Sequence, residues 1–397
     1  MTSAVVVGSG PNGLSAAAHL ARSGVEVTVL EAAPTIGGGA RSGELMTAGL
    51  IHDHCSAVHQ VAAASPALRG LDLGRHGLEW LGAPVDCAHP LDDGSAGVLY
   101  TSIDRTVDAL GVDGRRWRRM FEPLLADFAA LFDEVTRPVQ HVPRHPLLLA
   151  RFGARAALPG SVATRLWSRP DTQALFAGVA AHAYHPLDRP LTSAVAMMLF
   201  AAGHEHSWVV AKGGTQSIVD AMAADLTDHG GMIETGVRVR SAAELSGFDI
   251  VMLDVAPSSA ADILGDQLPT RVARAYRRFR HGPGAFKIDF AVDGGVPWTA
   301  EAAAESGTVH LGGTAAEVIA NEAAVHRGEM PERPFVLVGQ QYVADSSRSA
   351  GSVHPLWAYA HGPAGYSGDA TEAITAQIER FAPGFRDRIV GMAVRST

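Results

Sequence analysis

The chain has 397 residues, 47% of them hydrophobic, and a formal net charge of −9. That is enough chain for two domains with substantial cores, and the acidic balance argues against nucleic acid as a general partner. Cys55 and Cys87 are far apart and form no C-x-x-C pair, which excludes a dithiol relay and suits a reducing, cytoplasmic setting. The N-terminus carries no basic-then-apolar leader, and the longest apolar stretch, Leu191 to Gly203, is too short to span a bilayer.

The first element is a strand ending in Val5-Val6-Val7. It runs into Gly8-Ser9-Gly10-Pro11-Asn12-Gly13 and then into the helix-forming stretch from Leu14 to Leu20. In such a strand–turn–helix the first glycine permits the tight turn, the second lets the backbone approach a pyrophosphate, and the third lets helix and sheet pack closely. The helix N-terminus adds free N–H groups and a positive dipole end. A second strand, Val25 to Leu30, ends on Glu31, placed to hydrogen-bond an adenosine ribose and to repel a 2′-phosphate. NADP is thereby disfavoured, leaving NAD and FAD. A second glycine cluster, Gly37-Gly38-Gly39-Ala40-Arg41-Ser42, follows Ala32 closely. It lets the chain double back beside the same pyrophosphate with Arg41 as a charge partner, and this favours FAD.

Together the Gly8–Gly13 turn, Glu31 and "GGGARS" resemble the N-terminus of the phytoene desaturase-like branch of the flavin-containing amine oxidase superfamily. The segments "HDHCSAVHQVAAASP" from His52, "KGGTQSIVDAMAADL" from Lys212, "GVRVRSAAEL" from Gly236 and "IERFAPGFRDRI" from Ile378 extend the resemblance along the chain. It implies FAD held by Gly8, Ser9, Gly10, Pro11, Asn12, Gly13, Glu31, Ala32, Gly38, Gly39, Ala40 and Arg41, with the backbone at Val239 against the adenine. It also brings the stretch from His52 near the flavin ring, making His52, Asp53, Ser56 and His59 candidates for the substrate side. A histidine there could take the proton that accompanies hydride loss. Being satisfied by neighbouring backbone is an equally good reading of these histidines.

Further along, Trp117, Met120, Phe121, Leu124, Phe128, Leu131, Phe132 and Val135 recur at helical spacing and predict one long amphipathic helix over Arg115–Val135. Helices near Asp171–Ala183 and Leu191–Ala202 make the middle of the chain mostly helical. A helix through Ile218, Met222 and Leu226 ends at Gly230-Gly231, and strands follow at Met232–Val239 and Asp249–Leu253. From Ala285 the pattern alternates, with Phe286, Ile288 and Phe290 on one face and Lys287 and Asp289 on the other. Segments Phe335–Gln341 and His354–His361 look similar, with Trp357, Tyr359 and His361 sharing a face.

The fold class expected is α/β. A discontinuous Rossmann-like FAD domain (residues 1–70 and 205–265) is interrupted by a mostly helical substrate or lid region (71–204). A substrate domain built on an antiparallel sheet (266–397) follows. Family members carry a further glycine-rich stretch returning to the FAD domain, and none follows Met392 here. Weak or substoichiometric FAD in the isolated chain is therefore expected.

His52-Asp53-His54 and His204-Glu205-His206 each place two imidazoles two apart, but no third ligand has a recognisable spacing, so no metal is expected. Arg137, Arg144, Arg151, Arg155, Arg165 and Arg169 lie in a stretch without acids. Residues 137–169 read either as a lid or as a peripheral membrane contact, and the interrupting Pro and Gly residues favour the lid. The function expected is an FAD-dependent oxidoreductase of dehydrogenase or desaturase type acting on a hydrophobic small molecule. The alternatives are a flavin amine oxidase, with Trp357 and Tyr359 in an aromatic cage, and a non-catalytic nucleotide-binding subunit.

Overall fold

The computed structural model describes residues 1–138 and 140–396. In chain order the strands are β1 (Ser3–Val7), β2 (Glu26–Glu31), β3 (Ser42–Glu44), β4 (Ile51–Asp53), β5 (Trp80–Leu81), β6 (Val85–Pro90), β7 (Ala96–Leu99), β8 (Val210–Ala211), β9 (Met232–Thr235), β10 (Ile250–Leu253), β11 (Gly284–Asp293), β12 (Ser306–Leu311), β13 (Val336–Gly339), β14 (Val353–Gly362) and β15 (Ile389–Arg395).

A parallel sheet of order β10-β1-β2-β9 carries the glycine turn. Ala4, Val5, Val6 and Val7 are buried in its centre, the near-continuous apolar run expected of a parallel strand covered on both faces. The helix Pro11–Arg22 lays Leu14, Ala17, Ala18 and Ala21 against the sheet. It packs beside the helix Gln216–Asp228, which contributes Ile218, Val219, Met222 and Leu226.

The second sheet has seven strands, in the order β15-β11-β14-β13-β12-β6-β7, antiparallel except where β12 runs parallel to β6. β11 and β14 pair over their whole lengths, from Gly284 opposite Gly362 to Asp293 opposite Val353. Side chains alternate across a strand. Phe286, Ile288, Phe290, Val309, Val338 and Ala358 therefore enter one core, closed by Ile374, Ile378 and Phe381 of the helix Thr371–Phe381. The opposite face presents Lys287, Asp289, Thr308, His310, Trp357 and Tyr359. The helical region covers part of that face and holds its own aromatic core of Trp117, Phe121, Trp167, Phe176 and Phe200. Burying a side chain such as Phe121 or Phe200 stabilises by about 1.5–3 kcal/mol.

Three expectations change. The single helix over 115–135 is two, Gly114–Leu125 and Phe128–Thr136: the first runs on past Pro123, and the chain leaves the helical conformation at Asp127, with φ −127° and ψ 31°. The strand expected over 232–239 ends at Thr235, where Gly236 takes a φ of 74°. The large sheet also recruits β6 and β7, which lie in the segment read as helical.

Candidate functional site

Two cavities lie side by side. The smaller, of about 460 Å³, sits over the C-terminal ends of β1, β2 and β10. Of the predicted nucleotide residues, Gly8, Gly10, Pro11, Asn12, Glu31, Ala32, Gly38, Gly39 and Val239 all line it. Gly8 has a φ of 107°, and a Cβ there would lie 2.5 Å from the Asp254 carbonyl oxygen; a Cβ on Gly13 would lie 2.2 Å from the Gly8 carbonyl oxygen. Gly38, at a φ of 53°, passes so near Gly10 that its Cβ would fall 3.0 Å from the Gly10 Cα. Both glycine segments thus close on one space with bare backbone.

The remaining predicted residues support this space from behind. Ser9 donates to Glu31 Oε2 through its hydroxyl (2.6 Å) and its amide (3.0 Å), and Ala33 N donates to Oε1 at 2.8 Å. Arg41 lies 3.7 Å from the same carboxylate, and Ala40 is buried. Burial opposes ionisation of Glu31, but the Ser9 and Ala33 hydrogen bonds and Arg41 outweigh it and hold its pKa below the ordinary value. Asp254, one residue past β10, carries no signal in the sequence. Its Oδ2 accepts from Gly13 N at 2.9 Å and caps the first turn of the helix.

The larger cavity, of about 1020 Å³, lies against the polar face of the seven-stranded sheet. It abuts the smaller one where Gly39 passes Cys55: a Cβ on Gly39 would lie 3.6 Å from the Cys55 Cβ. Lys287, Thr308, Leu337, Trp357 and Tyr359 form its sheet wall; Tyr184 and His182 come from the helical region, and residues 54–62 form a third side. Lys287 Nζ is paired with Asp289 and stands 5.8 Å from the Trp357 ring centroid. Burial pushes its pKa below the ordinary lysine value, against the opposing pull of Asp289. Tyr184 adopts a φ of 50°, with its ring 3.9 Å from that of His361 and parallel to that of Tyr359 at 6.4 Å. A left-handed non-glycine residue costs about 1–3 kcal/mol, and such strain gathers at functional sites.

Of the four substrate-side candidates the structure brings two to the cavity, Ser56 and His59. His52 and Asp53 do not reach it, which corrects the expectation for both. His52 is buried behind the wall with Nδ1 3.6 Å from Asp289 Oδ1. Asp53 is wholly buried, 2.5 Å from Arg348 Nη1, and accepts from Ser42 Oγ and Thr215 N. Arg348 also donates to the Ala211 carbonyl and lies 3.3 Å from Asp345, so this ion pair fastens the first glycine domain to the large sheet. His59 Nε2 bonds Thr215 Oγ1 at 2.9 Å, and Thr215 Oγ1 donates in turn to the Ser56 carbonyl. The imidazole is therefore the donor in that bond. Burial lowers its pKa to about 4, which makes it a weak base at neutral pH. Lys287, Tyr184, Thr308 and His182 were not singled out as site residues; only Lys287 carried a signal, as a cation alternating with an apolar row.

His204-Glu205-His206 lies on the helix Thr192–His206, not on a strand, so its two imidazoles diverge. His204 Nε2 accepts from Trp117 Nε1 at 2.9 Å, whereas His206 packs on Phe128. Among the described residues no group of three His, Cys, Asp or Glu could hold a metal ion, and no helix is long and apolar enough to cross a membrane. In the basic stretch Arg137 and Arg144 pair with Asp133, and Arg169 with Asp171. Val139, inside that stretch, lies outside the described residues. An apolar groove of about 320 Å³ between Phe132, Phe152 and Met198 shares Val61 and Leu199 with the large cavity.

Residues 6–71 match the NAD(P)-binding Rossmann-like domain family. No curated protein matches the chain. Among solved structures, an oxidoreductase from Methanosarcina mazei is 15% identical with a TM-score of 0.60, over 100% of this chain and 88% of that one. Putrescine oxidase bound to putrescine is 17% identical with a TM-score of 0.57, over 100% and 84%. A CLA-producing fatty acid isomerase from P. acnes is 14% identical with a TM-score of 0.58, over 99% and 85%. At these identities the likeness is one of fold, and it covers both sheets.

Proposed function

We propose that this chain is an FAD-dependent oxidoreductase that takes a hydride from a carbon of a largely apolar small molecule. The observation that carries this reading is the junction of the two cavities. A backbone-lined nucleotide site lies next to a cavity of about 1020 Å³ walled largely by aromatic and aliphatic side chains, and Gly39 of the first touches Cys55 of the second. Gly8 to Gly13, Gly38 and Gly39 would hold the pyrophosphate, Glu31 the ribose and Val239 the adenine. The ionised Glu31 disfavours a 2′-phosphate and hence NADP. The names of the fold neighbours, an oxidoreductase and putrescine oxidase among them, agree with redox chemistry.

FAD, when bound, supplies the hydride acceptor. The chain's own contribution is position, dryness and a proton site. Trp357, Tyr359 and Leu337 exclude water from one wall. Lys287 Nζ, a buried amine with a depressed pKa, can hold or release a proton inside the cavity, with Asp289 and then His52 behind it. Carbon rather than amine oxidation is favoured by the arrangement of the aromatics: Trp357 and Tyr359 meet at 79°, edge to face, and the Lys287 cation already sits by Trp357. A cage for a substrate ammonium needs open aromatic faces.

The test is titration of the purified chain with FAD, followed by flavin fluorescence quenching. Saturable uptake is expected, weakened at least ten-fold in Glu31→Arg and unaffected by excess NADPH. No saturable uptake, or displacement by NADPH, would overturn the reading.

A further inference from the structure

The inner end of the large cavity carries polar atoms that neither the cofactor reading nor the fold requires. Thr308 is 1% exposed, lines the cavity, and its Oγ1 has no hydrogen-bond partner. A buried hydroxyl left unpaired is costly and calls for an explanation. Its cross-strand partner on β13 is Gly339, over which the Trp357 ring lies in place of a side chain; on the other side its partner is Cys87 of β6.

Next on the same face of β12 is His310, whose Nε2 is 3.1 Å from His182 Nε2 and whose Nδ1 is 3.6 Å from Cys87 Sγ. One of the two facing Nε2 atoms donates and the other accepts. Burial lowers the pKa of His182 to about 3 and that of His310 well below the ordinary value, so both rings are neutral. His182 lines the cavity, and its Nδ1 makes no hydrogen bond among the described residues. Because the two imidazoles can exchange tautomers together, Nδ1 can serve as donor or as acceptor.

Charge narrows the ligand further. Among the described residues no Asp or Glu lines the cavity; its cations are Lys287, which is paired with Asp289, and the exposed Arg395 near the C-terminal end of the chain. The carboxylates behind its walls are already engaged, Asp289 by Lys287 and Asp53 by Arg348 as ion pairs, Glu322 by a hydrogen bond with His361, and Asp86 by Thr101, Ser207 and the Trp208 amide. An ammonium brought inside would lose its water and meet no counter-charge, whereas neutral imidazoles and a hydroxyl suit a neutral polar group.

We propose that the substrate of this cavity is a largely apolar molecule carrying one uncharged oxygen function, a hydroxyl or a carbonyl, which hydrogen-bonds to Thr308 Oγ1 and His182 Nδ1. This rests on the oxidoreductase reading for its reaction but not for its binding, so the experiment measures binding alone. Octan-2-one, octan-2-ol, octane and octylammonium are titrated into the full chain, with and without added FAD, and read by the fluorescence of Trp208 and Trp357, which line the cavity. The ketone or the alcohol should bind roughly ten-fold more tightly than octane and octylammonium. Thr308→Val, which keeps the shape and removes the hydroxyl, should cut that advantage by roughly five-fold, as the loss of one neutral hydrogen bond does; Thr308→Ser should restore it. Octylammonium binding as tightly as the oxygenated probes would overturn the proposal. So would an advantage unchanged in Thr308→Val, or no saturable binding of either oxygenated probe. Failure of FAD uptake with this pattern intact would remove the oxidoreductase reading and leave the ligand class standing.

Discussion

The two cavities are made in opposite ways. The nucleotide site is built mainly from backbone, in two glycine segments and a carboxylate close together in the chain, with only the segments around Val239 and Asp254 coming from far away. The large cavity is built from side chains of widely separated segments, each placed by the register of a different strand or by a strained turn such as that at Tyr184. The first kind of site tolerates little change because backbone cannot be repacked. The second depends on how its pieces are fastened.

The largest effect should come from the fastening. Arg348→Met leaves Asp53 and Asp345 without their cation in a fully buried setting, and removing one partner of a buried pair costs about 3–5 kcal/mol. Urea unfolding should show that loss, and the large cavity should lose its apolar ligands before the nucleotide site loses FAD. If both were lost together, the contrast between the sites would fail. Next in size is Gly8→Ala, where both the positive φ and the Asp254 carbonyl stand against a side chain. A destabilisation of about 2 kcal/mol or more is expected, with FAD uptake weakened and octan-2-one binding unchanged, as measured by the two titrations.

The third effect concerns acid and vanishes at neutral pH. The folded-state pKa of His59 is about 4, against 6.5 for a free imidazole, so the folded state resists a proton that the unfolded chain accepts. Stability from this residue is complete above pH 6.5 and is lost as pH falls towards 4, a total of about 3 kcal/mol at a slope of at most ~1.4 kcal/mol per pH unit. His89, at about 4, and His182, at about 3, act in the same direction. His59→Gln should flatten the slope of unfolding free energy between pH 4.5 and 6 by roughly one proton's worth. An unchanged slope would mean that His59 is not buried as a neutral ring.

The legibility of the molecule follows the same division. Strand, turn, helix and Glu31 are a local pattern, and each glycine of the turn meets a nearby backbone or carboxylate that explains it. The alternation in β11 and β14 also told which residues share a face: Phe286, Ile288 and Phe290 do enter the core, and Lys287 does face away from it. What alternation leaves open is what lies opposite that face. Nothing local to His182 or Tyr184 says that the chain folds them over β12 and β14, and nothing near Asp53 announces Arg348, since an ion pair of such separation is visible only once the sheet has formed. His52 and Asp53 were placed one layer too far forward for that reason. The break at Asp127 is hidden for a related reason, because the apolar period continues on both sides of it.

The large sheet has one further consequence. Its core face and its cavity face are interleaved residue by residue, so that Ile288 anchors the same strand on which Lys287 and Asp289 are displayed, and Val309 the strand that displays Thr308 and His310. A slip of one residue in register would exchange the two sets and bury charge in oil. The apolar row therefore polices the register without fixing the identity of displayed positions such as Thr308, whereas Lys287 and Asp289, a buried pair, can change only together. A sheet of this kind can be retuned to a new ligand by point substitutions without being asked to refold.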